Sequence, residues 1–290
     1  MRNFINFVGM KIIFVRYILI IICLLHFPLG KAQILTVEDQ KNYTDSLRQD
    51  FDSRSYFTLF RDNYFLVGSN PVQKPTKYNS DVRFQISIAQ KLTKTTLPGG
   101  TYLFLTYTQK VMWDVFKKSM PMHDLSFNPG IGLSKPIFAK DRFIGKATLL
   151  LEHESNGRDG INSRSWNRVS LGATVMIDKW LTVHGKLWIP IVDGENNRDI
   201  LDYTGLWQNG LVVNTPDQKF FWGITLVKRR GWNLNFNTTF DFGWRIHKNS
   251  NQYFYIQYYN GYAENLLDYN KFHQRLRIGI IIKPTFFSEF

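Results

Sequence analysis

The sequence predicts an all-β chain that crosses a membrane as an antiparallel β-barrel of about twelve strands over residues 55–290, and three observations predict it. Apolar and polar residues alternate with a period of two along most of the chain after residue 54. The two faces of these runs differ in kind, one aliphatic and aromatic, the other carrying Arg and Glu in mid-strand. A short apolar leader precedes them.

Residues 1–16 hold Arg2, Lys11 and Arg16 without an acid, an apolar run follows from Tyr17 to Leu29, and Gly30 and Ala32 are small. This reads as a secretory signal peptide over residues 1–32, cleaved after Ala32. The run is roughly 13 residues, short of the ~20 of a spanning helix, and Ile22 before Cys23 argues against a lipoprotein signal. A retained anchor is the alternative. Cys23 is the only cysteine, so the exported chain has no thiol, disulfide or cysteine-bound metal. The full chain has 36 Lys plus Arg against 23 Asp plus Glu, a formal +13; without Arg2, Lys11, Arg16 and Lys31 the balance is 32 to 23, or +9. Export sets nucleic acid aside and makes an anionic surface the natural partner. Residues 33–54 are a polar N-terminal periplasmic segment whose form, whether plug, helix or tether, the pattern leaves open.

Phe84, Ile86 and Ile88 alternate with Arg83, Gln85 and Ser87; Leu103, Leu105, Tyr107, Val111 and Trp113 lie opposite Thr106, Thr108 and Lys110; Leu276, Ile278, Ile280 and Ile282 alternate with Arg275, Arg277 and Gly279. Turn signals at Gly99-Gly100, Asn162, Asp193-Gly194, Pro216-Asp217, Arg230-Gly231 and Asn249-Ser250 separate the runs. A soluble sandwich alternates in the same way, so face chemistry decides. An aliphatic band flanked by aromatics, among which Tyr253, Tyr255, Tyr258, Tyr259 and Trp232 are placed outside, belongs to an outer-membrane barrel. Only closure satisfies every backbone group in lipid. Phe290 ends the chain on an aromatic. Glu152, Glu154, Arg168, Arg275 and Arg277 face inward and fill the lumen with paired charge, whereas a small porin or a passive structural or adhesion barrel would keep opposing charges few. A secreted all-β domain is the remaining rival.

Residues 149–168, LLLEHESNGRDGINSRSWNR, carry the chemistry. His153 and Ser155 leave the same strand face as Leu149 and Leu151, while Glu152 and Glu154 leave the other. After the turn at Gly157–Asn162, Asn167 shares its side with Val169, Leu171 and Ala173. Three polar side chains thus point to lipid, a costly placement unless they bond to one another. A serine beside a histidine oriented by a third polar group is an activated hydroxyl nucleophile. A chance His-x-Ser pair is the bland alternative, which the apolar setting and Asn167 weigh against.

The string His153-Glu154-Ser155-Asn156-Gly157-Arg158, followed by Ser163-Arg164-Ser165-Trp166-Asn167-Arg168, resembles the active-site signature of the outer membrane phospholipase A family. Tyr107-Thr108-Gln109, the stretch around Ser119 and Pro121, and Gly261 through Asn270 resemble the family in the same order. The resemblance implies a twelve-stranded barrel in the outer membrane of a Gram-negative bacterium, with His153, Ser155 and Asn167 as catalytic triad. It implies hydrolysis of acyl esters of phospholipids and lysophospholipids at either glycerol position, dependence on Ca²⁺ and activity as a homodimer. It assigns metal ligation to the Arg158 carbonyl, the Ser163 hydroxyl and the Ser119 carbonyl of the other subunit, and the oxyanion to the Gly157 amide. It places Gln109, a lone amide on a lipid-facing stripe, at the dimer interface. Asp159 and Gly160 differ from the acid that members carry before the metal serine, which puts a second calcium site in doubt.

Elsewhere His123 with Asp124 reads as a solvated loop pair. His184, His247 and His273 lack partners at ligand spacing, and Lys228-Arg229-Arg230 as a solvated turn or headgroup contact.

Overall fold

A computed structural model describes residues 57–94, 96–139, 142–192, 194–248 and 250–284. Residues 1–32 and 33–54, read above as a signal peptide and a periplasmic segment, and Phe290 lie outside the described residues. One sheet contains thirteen strand segments: β1 (Phe57–Leu59), β2 (Asn63–Ser69), β3 (Ser80–Lys91), β4 (Tyr102–Trp113), β5 (Met122–Ala139), β6 (Arg142–Ser155), β7 (Ser165–Asp178), β8 (Leu181–Ile191), β9 (Trp207–Asn214), β10 (Phe220–Lys228), β11 (Phe236–Arg245), β12 (Gln252–Gly261) and β13 (His273–Ile282). Each segment from β2 onward pairs antiparallel with its successor, and β13 returns to β2, closing the sheet. β1 and β2 both lie against β3, at Ile88–Gln90 and at Ser80–Gln85, so they form one interrupted stave of a twelve-strand barrel. The interruption, Phe60–Asp62, turns Phe60 and Arg61 into the lumen, where both are buried.

The connections that follow β2, β4, β6, β8, β10 and β12 leave one end of the barrel, and those that follow β3, β5, β7, β9 and β11 leave the other. A single helical turn, α1 (Ile200–Thr204), sits in the connection after β8; the two-residue alternation gives no sign of it. There Ile200 packs with Trp166, Leu266 and Tyr269.

Register sets the outside. Leu103, Leu133, Leu149, Leu171 and Leu187 stand side by side across five strands, and Leu105, Ile131, Leu151, Val169 and Ile189 form the next row. Leu149, Leu151, Leu171 and Ile189 are exposed. Lipid is the solvent in which such rows are stable.

Inside, the charges pair as the alternation predicts. Arg168 bonds both Glu152 and, through Nη1 at 2.7 Å, Glu154; Arg61 and Lys186 reach Glu152 at 2.8 and 3.0 Å. Arg277 joins Asp81 at 2.6 Å and also binds Glu264, with Arg275 on Asp81. The tyrosines correct an expectation. Tyr253, Tyr255 and Tyr259 are buried toward the lumen rather than placed in the outer girdle, and only Tyr258 of that group faces out, stacked on Phe240. Room for this inner aromatic layer comes from Gly243, where a Cβ would lie 2.0 Å from the Phe221 ring that packs on Tyr253. Outer aromatics are instead Phe65 with Phe84, and Phe220 with Phe242 and Trp244.

Candidate active site

The site lies where β6 ends and β7 begins. Asn156 N donates to Arg164 O at 3.0 Å, in register with the ladder that pairs His153 with Asn167 and Ser155 with Ser165. Even-numbered residues of β6 therefore exchange main-chain hydrogen bonds with β7, and 153:167 is a non-hydrogen-bonded pair, the kind that brings side chains closest. His153 Nδ1 stands 2.7 Å from Asn167 Oδ1. An amide oxygen only accepts, so Nδ1 carries the proton and Nε2 is the nitrogen left as a base. Ser155, the last residue of β6, leaves the same outward face two residues on; its hydroxyl makes no hydrogen bond among the described residues. Below the three lie the aliphatic rows described above.

The inner face fixes what the outer face presents. Glu152 pairs with Arg168 and Glu154 with Trp166, on either side of the 153:167 pair, and the Arg168 guanidinium clasps both carboxylates. Any slip of β6 against β7 would break these buried ion pairs as well as the outer contact.

The turn is knitted by Asn156, a residue to which the sequence assigned no role. It is buried; Nδ2 donates to Asn162 O at 2.9 Å, and Oδ1 accepts from Arg158 N and Arg164 N. Its place in the signature was the available signal, since Asn commonly closes turns through its side chain. Asn197, also buried, brackets Ser165 with bonds to its N–H and C=O, and nothing in the sequence pointed to it. Gly157 has φ 65°, and a Cβ there would lie 2.9 Å from the Phe127 ring. Backbone and space both demand glycine. Gly157→Ala is expected to lower turnover at least tenfold while the barrel still forms, checked by fatty-acid release alongside resistance of the folded band to SDS.

Arg158 is exposed, and its guanidinium donates to His123 O at 2.7 Å. Ser163 lies at the end of a 3₁₀ turn, Gly160–Asn162. The carbonyls of Gly160, Ile161, Asn162 and Ser163 are all engaged in hydrogen bonds. Among the described residues, the Arg158 carbonyl and the Ser163 hydroxyl are not. Ser119 lies in the exposed loop between β4 and β5 with φ 66°, a left-handed backbone uncommon outside glycine. Gln109 is outward on β4 beside Tyr107, whose hydroxyl donates to its amide oxygen at 3.4 Å; Phe127 alone separates it in register from Ser155.

His123 and Asp124 are not a solvated pair. His123 Nε2 lies 2.6 Å from Asp268, and Asp124 is buried, accepting the Leu266 and Leu267 amides. The His123 bond holds the Asp268 carboxyl well below the usual carboxylate range. Because Arg158 grips the His123 carbonyl, this clamp ties the start of β5 and the 262–272 loop to the turn. His273 likewise has a partner, Glu264, at 3.3 Å. These contacts cross 145 residues in one case, beyond any local pattern.

A closed sheet with aliphatic outer rows and an ion-paired lumen defines a membrane-spanning β-barrel, and its lipid face carries a His–Asn contact in line with a serine. Comparison with known proteins agrees. A family model for phospholipase A1 matches residues 41–282. Phospholipase A1 of Salmonella typhimurium is 31% identical over 216 residues, 71% of each chain, and that of Escherichia coli K12 is 30% identical over 213 residues with the same coverage. Outer membrane phospholipase A from Escherichia coli superposes with a TM-score of 0.68 at 23% identity, covering 80% of this chain and 100% of that one. The Salmonella typhi outer membrane phospholipase dimer with bound calcium gives 0.68 at 24%, covering 82% and 97%. The chain belongs to the phospholipase A1 family. It is an outer-membrane phospholipase, a carboxylic ester hydrolase built as a β-barrel.

Proposed function

We propose that the chain cleaves acyl esters of membrane phospholipids and lysophospholipids with His153, Ser155 and Asn167 as its triad, and that it does so as a calcium-dependent homodimer. The observation that carries the reading is the 2.7 Å contact of His153 Nδ1 with Asn167 Oδ1 on an outward, apolar face.

Ser155 Oγ attacks the ester carbonyl carbon as its proton passes to His153 Nε2, and Asn167 holds the imidazole in the tautomer that leaves Nε2 free to accept it. The C–O bond to the glycerol breaks, His153 returns the proton to the departing alcohol, and the acyl group remains on Ser155. Water, giving its proton to His153, then attacks the acyl carbon, and the fatty acid leaves as the bond to Ser155 Oγ breaks and His153 returns the proton to that oxygen. A neutral amide suits this position, where an unpaired carboxylate would be hard to keep ionised against lipid. The Gly157 amide donates to the oxyanion.

The donor set fits a hard cation: the Arg158 carbonyl and the Ser163 hydroxyl, oxygens that make no hydrogen bond among the described residues, lie on either side of a turn in which the Gly160, Ile161 and Asn162 carbonyls are engaged. Ser119 of the partner subunit would supply a further carbonyl in the dimer. Calcium bound by these oxygens would supply positive charge that stabilises the developing oxyanion. Gln109 supports the pairing of two barrels, because an amide among hydrocarbon-facing residues is stabilised by a partner across an interface.

The test is release of labelled fatty acid from phospholipid in detergent micelles, with Ca²⁺ and after chelation, beside a Ser155→Ala variant. Calcium-dependent release that the variant lacks is expected. Undiminished release after chelation removes the metal from the reading, and undiminished release by the variant removes the nucleophile.

A further inference from the structure

Opposite the candidate catalytic histidine, the β-ladder is missing a donor. β5 and β6 pair at Phe127↔Ser155 and again at Gly130↔Glu152, with no pairing at the two positions between. The register puts Pro129 directly across from His153. Since 153:167 is a non-hydrogen-bonded pair, His153 directs both its N–H and its C=O toward β5. A residue at 129 with an N–H would donate it to the His153 carbonyl; proline has none. In a hydrocarbon setting an orphaned carbonyl at this point is costly.

The missing bond is replaced from the lumen side. Asn128 is buried, and its Nδ2 donates to His153 O at 2.7 Å. No other donor to this carbonyl is found among the described residues. We propose that Asn128 is a positioning residue for ester hydrolysis: its side-chain amide stands in for the absent main-chain N–H of Pro129 and holds the His153 peptide so that the imidazole meets Asn167 on one side and Ser155 along the strand. The proposal rests on the reading of His153, Ser155 and Asn167 as the triad. Asn128 touches neither substrate nor reacting atoms; it acts through the histidine backbone. A misplacement of a catalytic group by about 1 Å lowers turnover on the order of a hundredfold.

The test uses the full chain in phospholipid–detergent micelles, with kcat expressed per barrel that keeps its folded mobility in SDS, for Asn128→Ala, Pro129→Ala, the double variant and Ser155→Ala. Asn128→Ala is expected to lower kcat by about 10- to 100-fold with KM changed less than about threefold. Alanine at 129 brings back a main-chain N–H facing His153, so the double variant should recover to within about threefold of Pro129→Ala. A role confined to filling the lumen would give no such rescue. An Asn128→Ala barrel with parental kcat overturns the proposal, and so does a double variant as impaired as Asn128→Ala in folding or in turnover. If Ser155→Ala is inactive in either of those cases, only the positioning role fails. If Ser155→Ala stays active, the triad reading itself falls.

Discussion

Exchanging Ser155 for alanine should abolish lipid cleavage without disturbing the barrel. The Ser155 hydroxyl makes no hydrogen bond among the described residues, and its register with Phe127 and Ser165 is a property of the main chain. Nothing in the fold therefore depends on Oγ. Chemistry would depend on it entirely, because the acyl group has no other carrier at the site, and kcat should fall by about three to four orders of magnitude. Fatty-acid release per folded barrel measures this. Residual turnover within tenfold of the parent would assign the nucleophile elsewhere.

Arg168→Met should be the substitution most damaging to stability. Arg168 is 7% exposed and bonds both Glu152 and Glu154. Glu152 keeps Arg61 and Lys186 when the guanidinium is removed, but Glu154 is left with Ser126 and with Lys110 at 3.9 Å. A carboxylate stranded in this way costs about 3–5 kcal/mol. Urea unfolding of the barrel in lipid vesicles, followed by tryptophan fluorescence, should show that loss. Adding Glu154→Gln should recover part of it, since the stranded charge is then gone. Loss below about 1 kcal/mol in the single variant would mean that the lumen is wet enough to solvate Glu154 and that the charge lattice does not pin β6 to β7.

The same pair of strands shows why so much of the site could be read without coordinates. Alternation assigns faces wherever a strand runs unbroken, so His153 and Ser155 fall with Leu149 and Leu151, and Asn167 with Val169. A short hairpin then fixes which outward residues meet. The tyrosines of β12 show the limit. Tyr253, Tyr255 and Tyr259 sit on the same parity as Gln257, but their bulk suggested a membrane girdle. Whether an aromatic belongs inside is settled by the space across the lumen, which glycine at 243 on a neighbouring strand provides. Pro129 is a similar case: its presence in a strand signalled a break in the ladder, while the identity of the residue that repairs the break needed the side-chain position of Asn128.

By itself the sequence determined the strand pattern, the lipid-facing and lumen-facing sets, and the placement of His153, Ser155 and Asn167 on one outer face, because each follows from a two-residue period along β6 and β7. Only the tertiary structure decided the His123–Asp268 clamp, the Asn197 bracket on Ser165 and the Asn128 bond to His153. Those contacts join segments that are neighbours around the cylinder or across its mouth but not along the chain. Such partners are chosen by barrel closure and loop packing, and local periodicity carries no record of either.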